Sequence, residues 1–184
     1  VERLTEEGCA VAFTGRTKDK GEALQKRLEH EGRQVLFVQG SVAEEDDVKD
    51  AVAATVERFG SLTTLVNNAA ATDTTGPGRP DSRVTEIPNE AFDKVIRTGV
   101  NAVLWTCKHS IPHMLDARGG AIVNILSMNS HCGTPELAAY SATKGALATL
   151  TRNAAHAHRC CPKSAMGSLW DPYGEEACRG GLRR

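Results

Sequence analysis

Segments typical of strands and helices alternate along this chain, and the alternation limits the folds open to it. Apolar runs typical of strands lie at residues 9–14, 34–39, 63–67 and 120–127. Apolar and charged residues at helical spacing lie at residues 19–31, 44–59, 89–117 and 140–159. Strands that alternate with helices in this way form βαβ units with parallel strands. The sequence therefore predicts an α/β fold around a parallel sheet.

The run at residues 120–127 ends on a serine that could take part in chemistry. Its apolar and β-branched residues predict a strand that is buried on both faces. Ser127 closes this strand at its carboxyl end, where open parallel sheets bind ligands. Tyr140 follows thirteen residues later, and Gly133 and Pro135 predict a loop between the two. The hydroxyl groups of Ser127 and Tyr140 are therefore expected to converge.

Tyr140 and Lys144 are four residues apart on the last predicted helix. Residues at this spacing share one face of a helix, so the ammonium group can lie beside the phenol. A free phenol has a pKa of about 10, and a nearby cation can lower such a pKa by roughly one to three units. The pair therefore predicts a tyrosine that can act as a base near neutral pH.

These residues together resemble the short-chain dehydrogenase/reductase family, in which a serine stands thirteen residues before a YxxxK motif. The segment LVNNAA at residues 65–70 is similar to the family's LVNNAG, with Ala70 in place of the glycine. Asn101, within the segment TGVN, resembles the catalytic asparagine that the family places inside a helix. The motifs follow the family's order over residues 1–159. The chain is therefore expected to contain a partial domain of this family.

The resemblance implies an oxidoreductase that transfers a hydride between a nicotinamide cofactor and a carbonyl or secondary-alcohol substrate. Tyr140 would exchange the proton, while Lys144 would assist it and bond the nicotinamide ribose. Ser127 would donate a hydrogen bond to the reacting oxygen, and Asn101 would hold a water in a proton relay. Taken singly, Ser127 could instead cap the end of its strand, and Asn101 could be a core amide that distorts its helix. The sequence carries no code for the substrate.

The resemblance also implies a cofactor, read from the end of the second strand of the family's fold. An acidic residue there bonds the ribose of NAD, whereas an open position beside an arginine admits the 2′-phosphate of NADP. Gly15 and Arg16 stand at this place, so NADP is the first prediction and NAD the second. Arg16 could instead stack on the adenine or face solvent. The implied cofactor-binding residues are Arg16, Ser41, Val42, Asn68, Ala69, Tyr140 and Lys144.

Both ends of the chain depart from the family's pattern. The predicted fold is a Rossmann-like doubly wound parallel sheet of strand order 3-2-1-4-5-6, truncated because its first strand, its glycine-rich loop and its C-terminal strands are missing. Residues 1–159 form the partial domain, and 160–184 are expected to be a disordered or out-of-frame tail without a strand. A second hypothesis is a non-catalytic fragment that only associates with an intact subunit.

Composition excludes several other functions. A net charge of −1 gives no electrostatic case for binding nucleic acid, and no apolar run reaches the roughly 18 residues of a membrane span. The cytoplasm is the expected compartment, with the cysteines reduced. No metal site is predicted, because the histidine and cysteine spacings match no zinc pattern. The candidates considered were His109, His113, His156, His158, Cys160 and Cys161. A homo-oligomer is expected, since members of the family associate through their long helices.

Overall fold

The computed structural model describes residues 1–158 and the backbone of residues 165–168. The strands are β1 (Val11–Gly15), β2 (Val35–Gln39), β3 (Thr64–Asn67), β4 (Ala121–Asn124) and β5 (Ala165–Ser168). The helices are α1 (Glu2–Glu6), α2 (Lys18–His30), α3 (Glu45–Phe59), α4 (Asn89–Ile96), α5 (Ala102–Asp116) and α6 (Ala138–Ala157). The predicted alternation of strands and helices, and with it the α/β fold, is confirmed.

The strands form two parallel groups. β1 pairs with β2, while β3, β4 and β5 follow one another in a second sheet. In the predicted order 3-2-1-4-5-6, β1 and β2 correspond to strands 2 and 3, and β3, β4 and β5 correspond to strands 4, 5 and 6. Within the described residues, the only strand hydrogen-bonded to β1 is β2, and the only one bonded to β3 is β4. The missing position of the predicted sheet therefore falls between β1 and β3.

The expectation that no strand follows residue 159 was wrong for four residues. β5 pairs in parallel with β4, with Ala165 opposite Ala121 and Ser168 opposite Asn124. The backbone N–H and C=O groups on both edges of β4 need hydrogen-bond partners. A segment can provide these partners with its backbone alone, so β5 does not need an apolar periodicity. The expectations for residues 159–164 and 169–184 concern residues outside those described.

The main hydrophobic core lies between β4, α5 and α6. Its buried members are Val103, Cys107, Met114, Ile122 and Leu147. The three from α5 recur four and seven residues apart, which places them along one face of that helix. This face anchors α5 and α6 against β4, and it thereby fixes the elements that carry Ser127, Tyr140 and Lys144.

The long helix predicted at residues 89–117 is distorted at its expected middle. A π-helical turn, Arg97–Asn101, separates α4 from α5. Such turns contain one more residue than an α-helical turn and occur often at functional sites. Gly99 lets this turn lie close to α6, because a Cβ atom on residue 99 would stand 2.2 Å from Thr143 Cγ2. Thr98, Gly99, Val100 and Asn101 are mediocre or poor helix formers, which predicts a local distortion at this place. The distortion is also a packing contact.

Candidate active site

Lys144 connects α6 to the carboxyl end of β4. Its Nζ atom donates a hydrogen bond to the Ile125 carbonyl oxygen at 2.5 Å and lies 5.6 Å from the centroid of the Tyr140 ring. The side chain is buried, and this burial lowers the pKa of Lys144. The ammonium group is thus located between the tyrosine ring and the strand end, and its charge is poorly solvated.

Ser127 begins a short turn after β4. Its Oγ atom accepts a hydrogen bond from the Asn129 backbone N–H at 3.3 Å, and Ser130 Oγ accepts one from the Ser127 N–H at 3.3 Å. These reciprocal bonds cap the turn Met128–Ser130, so the capping role left open for Ser127 is present in the structure. A hydroxyl that accepts one bond can still donate its proton. Capping therefore does not use the Ser127 proton, and a substrate oxygen would receive it in place of Asn129 Oδ1, the acceptor of a long bond at 3.5 Å.

Asn129 connects Ser127 to the helix of Tyr140. Its Oδ1 atom accepts a long hydrogen bond from Ser127 Oγ at 3.5 Å, and its Nδ2 group donates to Ser141 Oγ at 3.0 Å. Ser141 directly follows Tyr140. Sequence reasoning missed Asn129; the one available signal was its position two residues after Ser127, in a loop that had to lead to the tyrosine.

Asn101 is the last residue of the π-helical turn and is half-buried. This turn faces α6 at Thr143, the residue before Lys144. Asn101 and Lys144 are thus carried by facing elements at the same level of the fold. Helix distortion, the alternative left open for Asn101, is also present, since the residue belongs to the turn that interrupts the helix.

The residues expected to bind the adenosine part of a cofactor follow β1 and β2. The Gly40 N–H donates to the Gly15 carbonyl at 3.1 Å, so Arg16 and Ser41 leave the sheet at the same edge. Arg16 is exposed. The Ser41 N–H donates to Oδ2 of Asp47, a residue in the first turn of α3, at 2.7 Å. Val42, the next residue, is half-buried.

Asn68 and Ala69 follow β3 and are exposed. Asn67, the last residue of β3, is in register with Asn124, so Asn68 emerges at the same edge as Ile125. All the expected cofactor residues thus lie at carboxyl ends of strands or on α6, which is the edge where open parallel sheets bind nucleotides. Arg16 follows β1, at the place where an acidic residue would accept a hydrogen bond from the ribose 2′-hydroxyl of NAD. This donor set fits a phosphorylated ribose.

A comparison with family models adds independent evidence. The model described as short chain dehydrogenase matches residues 1–160. The chain belongs to the short-chain dehydrogenase family. Its solved relatives share the fold, so the Rossmann-like prediction is confirmed.

Curated members of the short-chain dehydrogenase family match most of the chain. A 3-oxoacyl-(acyl-carrier-protein) reductase from Staphylococcus epidermidis is 36% identical over 155 residues, which are 83% of this chain and 60% of that protein. A 2-(R)-hydroxypropyl-CoM dehydrogenase from Xanthobacter autotrophicus is 42% identical over 122 residues, which are 66% of this chain and 47% of that protein. The chain therefore spans about half to three fifths of the length of these relatives.

Solved structures of the family show the same partial coverage. A gluconate 5-dehydrogenase from Burkholderia cenocepacia, in complex with NADP and tartrate, is 25% identical with a TM-score of 0.80. The match covers 91% of this chain and 62% of that one. An actinorhodin polyketide ketoreductase variant with NADPH is 28% identical with a TM-score of 0.78, and the match covers 90% and 61% of the two chains.

A polar network that sequence reasoning missed holds the ends of β3 and β4. Asn67 Nδ2 donates to Asn124 Oδ1 at 2.8 Å, and Thr106 Oγ1 of α5 donates to Asn67 Oδ1 at 2.8 Å. Asn124 Nδ2 donates to Thr151 Oγ1 of α6 at 2.8 Å. Asn67 therefore connects β3 to both β4 and α5. The network fixes both strand ends to α5 and α6.

The remaining candidates of the sequence have other surroundings. His109 Nε2 lies 3.0 Å from Glu45 Oε1, which also accepts from Lys108 Nζ at 2.7 Å. In the part of the chain that the structure describes, no group of three His, Cys, Asp or Glu side chains is placed to hold a metal ion. Cys160 and Cys161 lie outside that part. None of the described helices has the length and apolarity needed to cross a membrane.

Proposed function

We propose that this chain is part of an oxidoreductase that transfers a hydride between NADP(H) and a carbonyl or secondary-alcohol substrate, with NAD(H) as the second choice. The observation that carries the proposal is the position of the Lys144 ammonium, 5.6 Å from the Tyr140 ring centroid at the carboxyl end of β4. A cation beside a phenol favours the phenolate, which is the form that can accept a proton. Membership of the short-chain dehydrogenase family supports the same reaction class.

The four catalytic residues act on the reacting oxygen and its proton. Tyr140 exchanges the proton of the substrate hydroxyl at its phenolic oxygen. The Ser127 hydroxyl donates to the same substrate oxygen, and loss of such a donor typically costs about a hundredfold or more in rate. Lys144 stabilises the phenolate and bonds the nicotinamide ribose, while Asn101 holds a water that returns protons to Lys144. The nicotinamide, when bound, supplies or accepts the hydride.

The preference for NADP(H) depends on the end of β1. Arg16 is exposed there and follows a glycine, so a guanidinium is available for a 2′-phosphate. Ser41 and Val42 would contact the adenine from the end of β2, and Asn68 and Ala69 would line the cleft from the end of β3. The two solved relatives hold NADP and NADPH, which supports the same choice here.

We further propose a homo-oligomer in the cytoplasm. Leu104 of α5 is 50% exposed and borders a groove between α5 and α6 that Ile111 and Leu150 also line. Burial of this apolar groove against a second copy would remove it from water. Cys9, Cys107 and Cys132 are free thiols, which supports a reducing compartment.

The non-catalytic fragment is the second candidate, and the sheet topology favours it. Among the described strands, the edges of β1 and β3 that face away from their partners carry no ladder. Unpaired strand edges are prone to pair with another chain. In this case the chain would associate with an intact subunit and contribute no turnover of its own.

Cofactor binding and turnover separate these candidates. NADPH at one hundred times its dissociation constant should raise the free energy of unfolding by about 2.7 kcal/mol, because it binds only the native state. Tyr140→Phe should abolish carbonyl reduction and retain most of this stabilisation, because the other six expected cofactor-binding residues are unchanged. Tyr173→Phe, the same change at the chain's other tyrosine, is measured in parallel for comparison. Absence of stabilisation at saturating NADPH contradicts the oxidoreductase, and turnover by Tyr140→Phe contradicts the assigned base.

A further inference from the structure

The helix that carries Tyr140 begins without a local cap. Leu137 is its N-cap residue and makes no side-chain cap hydrogen bond. Leucine is a poor residue at this position, since its side chain has no acceptor for the first N–H groups of the helix. The first N–H that bonds within the helix is that of Ser141, which donates to the Leu137 carbonyl at 2.9 Å. The N–H groups of residues 138–140 therefore need partners from elsewhere.

Two residues of the loop at 71–88 provide all three partners. The Ala138 N–H donates to the Ser82 carbonyl at 3.2 Å. The Ala139 N–H donates to Asp81 Oδ1 at 3.0 Å, and the Tyr140 N–H donates to Asp81 Oδ2 at 3.0 Å. Each oxygen of one carboxylate thus accepts one amide of the first turn. A carboxylate at this end of a helix also interacts favourably with the helix dipole.

Asp81 is itself held in a fixed position. Its side chain is 2% exposed, and its N–H donates to the carbonyl of Thr74, which is also buried, at 2.9 Å. Arg83, two residues later, lies 3.7 Å from Glu136, just before the helix. Thr74 therefore holds Asp81 within its own loop, and the pair of Arg83 with Glu136 joins this loop to the segment just before α6.

We infer that Asp81 is a positioning residue for Tyr140. One of its oxygens holds the backbone amide of the tyrosine itself, so the first turn of α6 cannot move without moving the phenol. A displacement of about 1 Å at a catalytic group can cost on the order of a hundredfold in rate. The inference depends on the proposed function for its kinetic consequence, but the placement of the ring can be tested without turnover.

Asp81→Asn removes one acceptor and changes the side-chain volume very little. Its amide NH2 group would face one of the two backbone N–H groups, so a single amide at most stays paired. Leu137→Asp supplies a local cap, because an acidic N-cap side chain accepts from the second or third N–H of the helix. These two N–H groups are those of Ala139 and Tyr140. The double variant should therefore restore what Asp81→Asn removes.

Two measurements test the inference. For Asp81→Asn we expect kcat to fall by about 10- to 100-fold with the KM for NADPH changed by less than about twofold, and we expect Asp81→Asn/Leu137→Asp to recover most of this loss. Labelling the tyrosine ring at Cζ with 13C gives two NMR signals, because the chain has two tyrosines. The signal that disappears in Tyr140→Phe belongs to Tyr140. This signal should shift or broaden in Asp81→Asn and return in the double variant. Leu137→Asp alone is the control and should resemble the parent protein.

The outcomes distinguish this inference from the proposed function. If the parent protein has no turnover, the proposed oxidoreductase function is refuted. The NMR signal of Tyr140 in Asp81→Asn then tests the positioning role without kinetics. A Tyr140 signal and kcat unchanged in Asp81→Asn would overturn the inference. If Asp81→Asn does not fold, the folding of the double variant tests the inference. A folded double variant supports the capping of α6 by Asp81. An unfolded double variant overturns it, because Asp81 would then act on its own loop.

Discussion

Gly99→Ala tests the contact by which the π-helical turn lies against α6. The added Cβ atom would stand 2.2 Å from Thr143 Cγ2 and 3.4 Å from Thr143 Cβ. Carbon atoms in contact are normally about 3.5–4.0 Å apart, so the turn and α6 must separate by roughly 1.3–1.8 Å at this point. Thr143 is buried, which leaves its methyl group little room to move. Overpacking of this kind costs about 1–3 kcal/mol.

One effect opposes this cost. Replacing glycine by alanine inside a helix gains roughly 0.5–1 kcal/mol from backbone entropy. The difference of these two effects is a net loss of about 0–2.5 kcal/mol in the free energy of unfolding, and the approach to 2.2 Å favours the upper half of this range. The loss in turnover should be larger than this stability change suggests, since Lys144 follows Thr143 and Asn101 lies two residues beyond Gly99.

Urea unfolding of four variants checks this prediction. Thr143→Ser removes only the clashing methyl group, so Gly99→Ala/Thr143→Ser should be more stable than the sum of the single changes predicts, by about 1 kcal/mol or more. Gly145→Ala is the matched control on the same helix, because its Cβ would lie 3.9 Å from the nearest atom, the Ser130 carbonyl oxygen. It should be neutral or stabilising. The reasoning fails if Gly99→Ala is as stable as the parent protein, or if Thr143→Ser does not relieve it.

Two further predictions concern buried polar groups. Burial raises the pKa of Cys107 from 9.0 to about 11, so between these values the unfolded chain releases a proton that the folded chain keeps. The free energy of unfolding should then fall by up to about 2.7 kcal/mol as the pH rises across this window. Cys107→Ala should not show this fall. If the free energy of unfolding has the same pH dependence in both proteins, the prediction is wrong. Asn124→Ala should cost about 2–3 kcal/mol, since it removes the acceptor of Asn67 Nδ2 and the donor to the buried Thr151 Oγ1. The exposed Asn68→Ala should cost less than about 0.5 kcal/mol, and equal losses in urea unfolding would contradict the network.

The elements of the fold could be predicted because their signals are local. Apolar runs and helical spacing lie within each segment, and the poor helix formers at residues 98–101 predicted a distortion where the π-helical turn occurs. The ends of elements were less accurate. The strand predicted at 120–127 stops at Asn124, because the backbone then turns so that Ser127 can begin the capped turn and Ile125 can present its carbonyl to Lys144.

The contacts that complete the candidate site were not predictable in the same way. Asp81 stands in a loop rich in proline and glycine, where an aspartate is typical of any turn. Its role arises only when the fold brings it to the start of α6, 58 residues further along the chain. The short β5 was missed for a related reason, since it is defined by the open edge of β4 and has no pattern of its own.

The residues proposed for chemistry and those proposed for the nucleotide belong to different parts of the sheet. Ser127, Tyr140 and Lys144 surround β4, whereas Arg16 follows β1 in the other group of strands. In the described residues, α3 packs against β1 and β2 and against α5, and Glu45 at its start binds Lys108 and His109. These hydrogen bonds lower the pKa of Glu45, but the pair with Lys108 is exposed and therefore weak and sensitive to salt. The proposed hydride transfer would need both groups of strands to bind one cofactor. It should therefore depend on the contacts of α3 with α5 more strongly than the folding of the core around β4 does.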